Sequence, residues 1–116
     1  MATVTPAISV IGAPNGVPRV AWLAIATGDT VNPYLVSEQY GLAISIQISG
    51  TFGSGTVIVE QSNDGTNWFA LRDLTGSPVS VTEASMVETS NCAAYLRPST
   101  SGGTADAVNI YMVFRG

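Results

Sequence analysis

Few side chains of this sequence could take part in acid–base, nucleophilic or metal chemistry. Its 116 residues include no histidine and no lysine, so the usual general bases, imine-forming amines and zinc ligands are missing. A pair of carboxylates, as in glycoside hydrolases, remains possible. However, Asp64, Asp73 and Asp106 stand beside glycines or other loop residues, where aspartate is favoured because it hydrogen-bonds the backbone of a turn. We therefore expect no enzyme and no catalytic residue.

A polar loop and a single cysteine are the other candidates for chemistry. Residues 62–67 are rich in oxygen ligands for calcium, but they lack the spaced acidic series and terminal glutamate of an EF-hand loop. Cys92 is flanked by Asn91 and Ala93, which supply neither the cation nor the base that activates a thiol. As the only cysteine it can form no intrachain disulfide, and we interpret it as a small buried residue. We expect no metal ion and no cofactor.

The composition narrows the choice of partners. Hydrophobic residues make up 46% of the chain and charged residues only 10%, so we expect a partner to cover part of the surface. Four scattered arginines stand against eight carboxylates, for a net charge of −4, which disfavours binding to a nucleic-acid backbone. No apolar run approaches the ~20 residues of a membrane-spanning helix. We expect neither a nucleic-acid nor a membrane partner.

A β-hairpin near the middle of the chain sets the predicted register. Residues 63–65, Asn-Asp-Gly, suit a three-residue loop in which Gly65 has a positive φ. Counting back from that loop places Phe69 opposite Val59 on one face of the hairpin. Both side chains are then expected to point into the core.

Alternating apolar residues predict several short strands separated by Gly, Pro, Asn and Asp. The alternations at residues 42–48 and 108–114 are the clearest, and no helical period is present. We predict an all-β protein, a two-layer antiparallel β-sandwich of jelly-roll or immunoglobulin-like type, with a small β-barrel as the alternative. The residues predicted to form the core are Leu42, Ile44, Ile46, Ile48, Val57, Val59, Phe69, Leu71, Val108, Ile110, Met112 and Phe114.

The beginning of the chain is different in character. It contains three prolines and an Asn-Gly pair, which are typical of extended coil. We interpret residues 1–18 as an extended N-terminal arm and residues 19–116 as the β-sandwich domain. Within the arm, Ile8, Val10 and Ile11 would be costly to leave in water. They are candidate interface residues, docked either on their own domain or on a neighbour.

Trp68 is a further candidate interface residue. The predicted register places it opposite Glu60, on the face of the hairpin away from Phe69. We expect Trp68 either in a satellite core or on a contact surface. An exposed ring at that position could also stack on a sugar, as in lectin-like modules.

The hairpin also carries a resemblance to a known class of proteins. Residues 55–71 resemble the "strand, Ser-x-Asp-Gly, x-x-Trp, strand" hairpin of small β-sandwich proteins from tailed bacteriophages. Residues 94–98, Ala-Tyr-Leu-Arg-Pro, and the last strand, residues 108–115, are similar to the two strands that often follow it there. Discoidin-type carbohydrate-binding domains use a similar hairpin, but they are usually longer.

The resemblance implies a non-enzymatic virion structural protein, above all a capsid cement or decoration protein. Such a protein lies on the capsid surface, where it binds and stabilises the shell of the major capsid protein. By analogy with decoration proteins on three-fold positions of a shell, it implies a homotrimer. The alternative is a carbohydrate-binding module or a tail- or head-fibre adhesion module.

Overall fold

The computed structural model describes residues 2–11, 17–36, 43–90 and 92–115, and within these ranges the chain is built mainly of β-strands. Twelve strands follow one another in the described ranges: β1 (Thr3–Val4), β2 (Ala7–Ile11), β3 (Val17–Ile25), β4 (Thr30–Val31), β5 (Tyr34–Leu35), β6 (Ala43–Thr51), β7 (Thr56–Ser62), β8 (Phe69–Ala70), β9 (Ser80–Val81), β10 (Ser85–Thr89), β11 (Tyr95–Ser101) and β12 (Ala107–Arg115).

The strands form two antiparallel sheets that pack on a shared core. Sheet I has the order β10-β6-β12-β3-β2. Sheet II has the order β5-β11-β7-β8, and β9 also pairs with β7. A separate short pair, β1 with β4, is parallel. The predicted all-β antiparallel sandwich is confirmed.

The core lies between the sheets and takes alternate residues from the long strands. In β6, for example, Ile44, Ile46 and Ile48 are at most 1% exposed, because successive side chains of a strand point to opposite faces. Full burial of each isoleucine is worth about 1.5–3 kcal/mol. The predicted core residues that are buried are Ile44, Ile46, Ile48, Val57, Val59, Leu71, Val108, Ile110, Met112 and Phe114. Leu42 lies outside the described residues.

Strand β3 contributes both Trp22 and Ile25 to the core, although they are three residues apart. A β-bulge explains this spacing, because Leu23 and Ala24 together stand opposite Asn109. Ala24 adopts a left-handed φ of 56°. Its N–H donates to the Oδ1 atom of Asn109 at 2.9 Å. The extra residue turns Ile25 back towards the core.

The central hairpin has a different register from the predicted one. Strand β7 ends before residues 63–68, which form the loop, and β8 begins at Phe69. Phe69 therefore pairs with Gln61 instead of Val59. This shift of two residues moves Phe69 beyond the end of the core. The prediction that Phe69 is a core residue is wrong, since its side chain is 69% exposed.

The Asp64 side chain is the physical reason for the longer loop. Its Oδ1 atom accepts hydrogen bonds from the N–H groups of Thr66 and Asn67, at 2.8 and 2.9 Å. These bonds keep both residues in the loop and out of the strand ladder. The positive φ predicted for Gly65 is confirmed, at 76°.

The N-terminal segment lies against its own chain. Strand β1 pairs with β4, and the N–H of Ala2 donates to the Asp29 carboxylate at 2.9 Å. Strand β2 pairs with β3 at one edge of sheet I. The Asn-Gly pair of this segment, Asn15 and Gly16, lies outside the described residues.

Candidate interaction surfaces

Strand β2 forms an edge of sheet I and contains no charged residue. Within the described ranges it pairs only with β3, so the N–H and C=O groups along its other side have no strand partner. Natural edge strands are usually protected by charges, prolines or bulges. The sequence Ala-Ile-Ser-Val-Ile of β2 contains no proline or charge, so this edge is open to an added strand.

Ile8 and Val10 lie on the core-facing side of β2 but are not covered by sheet II. Ile8 pairs with the fully buried Val20, and directly opposite residues of a ladder share a face. Nevertheless, Ile8 is 62% exposed and Val10 is 68% exposed. The structure therefore places these two predicted interface residues on one accessible apolar strip. Ile11 ends the same strand, and its side chain lies outside the described part of the structure.

An apolar cleft of about 430 Å³ adjoins this strip. One wall includes Pro6 and Ile8, and the other includes Pro33, Tyr34 and Leu35, at the edge of sheet II. Leu35 is 45% exposed, so a partner in the cleft would also remove apolar surface of Leu35 from water. A partner that fills the cleft and pairs with β2 would combine hydrophobic burial with backbone hydrogen bonds.

Trp68 lies elsewhere, on the outer face of sheet II, and is half-buried. The guanidinium carbon of Arg97 is 4.0 Å from the centre of the Trp68 ring. The Nε atom of Arg97 also donates to Oε1 of Glu60 at 3.2 Å. The structure does not bring Trp68 together with the β2 strip, and Arg97 covers one face of its ring.

Phe69 is a surface residue that sequence reasoning assigned to the core. It lines an open groove of about 710 Å³ whose walls include Asn67, Arg72, Asp73 and Cys92. The signal that could have found it is the ability of Asp64 to hydrogen-bond the backbone of the following residues. Burial raises the pKa of the Cys92 thiol, which makes this thiol a poor nucleophile.

Four aspartates accept hydrogen bonds from backbone N–H groups, either of their own loop, as Asp64 and Asp73 do, or of a segment distant in sequence, as Asp106 does. For Asp106, the N–H of Thr27 is the main cause of a lowered pKa, followed by the Thr27 hydroxyl. A general acid must hold a proton near the working pH, so carboxyls with lowered pKa values are unsuited to that role. In the parts of the chain that the structure describes, no group of three or more Cys, Asp or Glu side chains could hold a metal ion. The aspartates with a lowered pKa are Asp29, Asp64, Asp73 and Asp106.

Comparison of the chain with protein-family models, curated proteins and solved structures finds no match. Among the described residues no helix is long and apolar enough to cross a membrane. Function is therefore inferred from the surfaces of the chain itself.

Proposed function

We propose that this chain is a non-enzymatic virion structural protein, a capsid cement or decoration protein that binds the shell of the major capsid protein. The observation that carries the proposal is the uncovered edge of β2, where Ile8 and Val10 are exposed beside an apolar cleft. The phage-like hairpin at residues 55–71 favours a virion as the assembly. A monomer in water gains nothing from such an edge, whereas an assembly component uses it for contact.

In this proposal an extended segment of the shell protein adds to sheet I as a sixth strand beside β2. The added backbone takes up the free N–H and C=O groups of β2, and alternate side chains of the segment cover Ile8, Val10 and Leu35. Covering one such side chain completely is worth about 1.5–3 kcal/mol. Because β2 has no charged residue, the matching segment is apolar, and binding depends only weakly on salt.

The chain is also proposed to act as a homo-oligomer on the shell. A capsid presents the same segment many times, and two or more linked β2 edges bind such a surface more tightly than one edge. Loss of oligomerisation would then weaken shell binding even where β2 is unchanged.

The test is to look for a major capsid protein gene beside the gene for this chain, to assemble shells from that protein without any decoration protein, and to measure binding of the chain to them. Ile8→Lys places a charge in the apolar strip and should weaken binding by at least about tenfold, which corresponds to ~1.4 kcal/mol. Leu74→Lys is the matched control, because Leu74 is 61% exposed and lies outside the strip. Failure of the intact chain to bind shells would overturn the function. Equally tight binding by the Ile8→Lys variant would show that β2 is not the contact.

A carbohydrate-binding or fibre adhesion module is the second candidate, and Phe69 favours it. Its exposed ring lies in a groove beside Asn67, Arg72 and Asp73, and sugar sites combine an aromatic platform with polar groups. A glycan array tests this candidate. Binding that is lost in Phe69→Ala but kept in Trp68→Ala would support it. An array without hits would exclude it and leave shell binding as the remaining candidate function.

A further inference from the structure

The face of sheet I that points away from the core has an ordered pattern across its strands. The strand registers align two rows of five residues, each running from β2 through β3, β12 and β6 to β10. Residues between them, such as Met112 and Ile46, point inward and are fully buried. The first row is Ser9, Arg19, Val113, Ser45 and Glu88, and the second is Ala7, Ala21, Tyr111, Gln47 and Met86.

These two rows are unusual for a surface exposed to water. Most of their side chains are small or uncharged, and the only charges in the rows are Arg19 and Glu88. Met86 stands out from the face, with 63% of its side chain exposed. A shallow depression of about 370 Å³ lies among the side chains of both rows. A nearly uncharged sheet face of this kind is suited to packing against another sheet.

Arg19 has an unsatisfied hydrogen-bond donor on this face. Its guanidinium carbon lies 5.3 Å from the centre of the Tyr111 ring. Its Nε atom is buried and has no hydrogen-bond acceptor. Buried donors of this kind are rare, because leaving one unpaired is costly. In the described ranges the ion pair found is Arg97 with Glu60, so no carboxylate of the described residues pairs with Arg19.

The positions of Arg19 and Glu88 would allow each to pair with the other residue in a second copy of the chain. They stand in one row, three strands apart, which is about 14 Å at the usual strand spacing. Consider a two-fold axis that lies between two facing sheets, parallel to the strands and midway between β12 and β6. This axis reverses each row, so it places Arg19 of one copy over Glu88 of the other. It also places the large Met86 over the small Ala21.

We propose that the outer face of sheet I is the contact between two copies of this chain, with Arg19 and Glu88 forming two symmetry-related ion pairs. The axis superposes four strands, β3, β12, β6 and β10, and leaves β2 outside the contact. Three of the four strands have nine residues and β10 has five, so the overlap is at most roughly 19 by 30 Å, a small interface beside the ~800 Å² per partner of a standard one. The contact is isologous, so it closes into a dimer. This dimer differs from the trimer that the resemblance to decoration proteins implies. The dimer contact also does not depend on shell binding.

The test is sedimentation equilibrium of the full chain, without shells, over a range of protein and salt concentrations. The intact chain should show the mass of two copies and dissociate as salt rises. Glu88→Arg and Arg19→Glu should each raise the dissociation constant of the dimer at least about tenfold, and the double charge swap should restore most of the affinity. Arg19→Glu changes a partly buried side chain and could prevent folding, whereas Glu88 is exposed. Glu88→Arg is therefore expected to fold, and a thermal melt of each variant checks this.

Several outcomes would overturn the inference. A monomer at every concentration, or a mass of three copies, would exclude the two-fold contact. A Glu88→Arg variant that dimerises as tightly as the intact chain would exclude the ion pair, as would a double swap as weak as the single variants. Because shells are absent from this experiment, its failure would leave the proposed shell binding of β2 untouched.

Discussion

Arg97 lies over the ring of Trp68, with its guanidinium carbon 4.0 Å from the ring centre. It also stands directly opposite Glu60 in the β11–β7 ladder and forms an ion pair with it at 3.2 Å. Arg97 thus links the end of the hairpin loop to the outer face of sheet II. A cation–π contact at an exposed site is worth about 0.5–1 kcal/mol, and a surface ion pair about 0.2–1 kcal/mol.

From these contacts we expect Arg97→Ala to lower the free energy of unfolding by about 1 kcal/mol. Arg97→Lys should recover only part of the loss, because an ammonium group cannot stack as a planar guanidinium does. Denaturant unfolding followed by tryptophan fluorescence measures both. Arg72→Ala is the control, since Arg72 is exposed and donates to the backbone C=O of Gly76. If Arg97→Ala were as stable as the intact chain, the contacts would carry no net stability.

The bulge in β3 gives a prediction of increased stability. An L-residue in the left-handed region is strained by roughly 1–2 kcal/mol, and Ala24 occupies that region with an exposed side chain. Glycine relieves the strain but loses about 0.5–1 kcal/mol through its greater freedom in the unfolded chain. We therefore expect Ala24→Gly to raise the unfolding free energy by up to about 1 kcal/mol. Ala107→Gly, at an exposed position in β12, should lower it, and an equal loss in both variants would contradict the prediction.

At Gly65 the substitution runs the other way, from a glycine with a positive φ to an L-residue. Its φ is 76°, and an added Cβ would meet only the Tyr95 ring at an ordinary 3.6 Å. The cost of a substitution therefore comes from the backbone rather than from crowding. Gly65→Val should lower the unfolding free energy by about 1–2 kcal/mol, and Gly65→Asn by less, because asparagine tolerates the left-handed region. Thermal melts of the two variants check the order, and equal midpoints would show that φ is not the cause.

The sandwich and most of its core could be predicted from sequence because strand side chains alternate with a period of two. In β6 and β12 one face is apolar throughout, so any register that buries Ile46 also buries Ile44 and Ile48. The same reasoning failed for Phe69, because the length of a hairpin loop depends on a local side-chain hydrogen bond. A three-residue loop and the observed six-residue loop use the same Asn-Asp-Gly sequence.

The candidate surfaces were only partly predictable. The apolar character of Ile8 and Val10 indicated a contact, but their place at the edge of sheet I depends on pairing with β3, which composition does not specify. The alignment of Arg19 with Glu88 depends on the registers of four strands that are distant in sequence. A bulge such as that at Ala24 shifts a register by one residue without a glycine or proline to mark it.

Acid should destabilise the fold through the aspartates that accept backbone hydrogen bonds. The N–H groups of Asn67 and Thr66 hold the pKa of Asp64 well below its ordinary value. The N–H groups of Ala2 and Ala26 similarly lower the pKa of Asp29. A carboxyl with a lower pKa in the folded state stabilises that state above the unfolded pKa of about 3.9. This contribution is lost as the pH falls from that value through the folded pKa, since the unfolded chain then binds more protons.

We therefore expect the melting temperature to change little between about pH 8 and pH 5 and to fall progressively below about pH 4. Asp64→Asn removes one of the titrating groups, so this variant should be less stable than the intact chain at pH 7 but should lose less on further acidification. Glu83→Gln removes an exposed carboxylate of the same charge and serves as the control for the loss of one negative charge. If Asp64→Asn and the intact chain lost stability in parallel from pH 4 to pH 2, the hydrogen bonds of Asp64 would not be a source of the acid sensitivity. The lengthened loop would then owe its stability at neutral pH to the Ser62 hydroxyl, which accepts the N–H groups of Asp64 and Gly65, rather than to the charge of the aspartate.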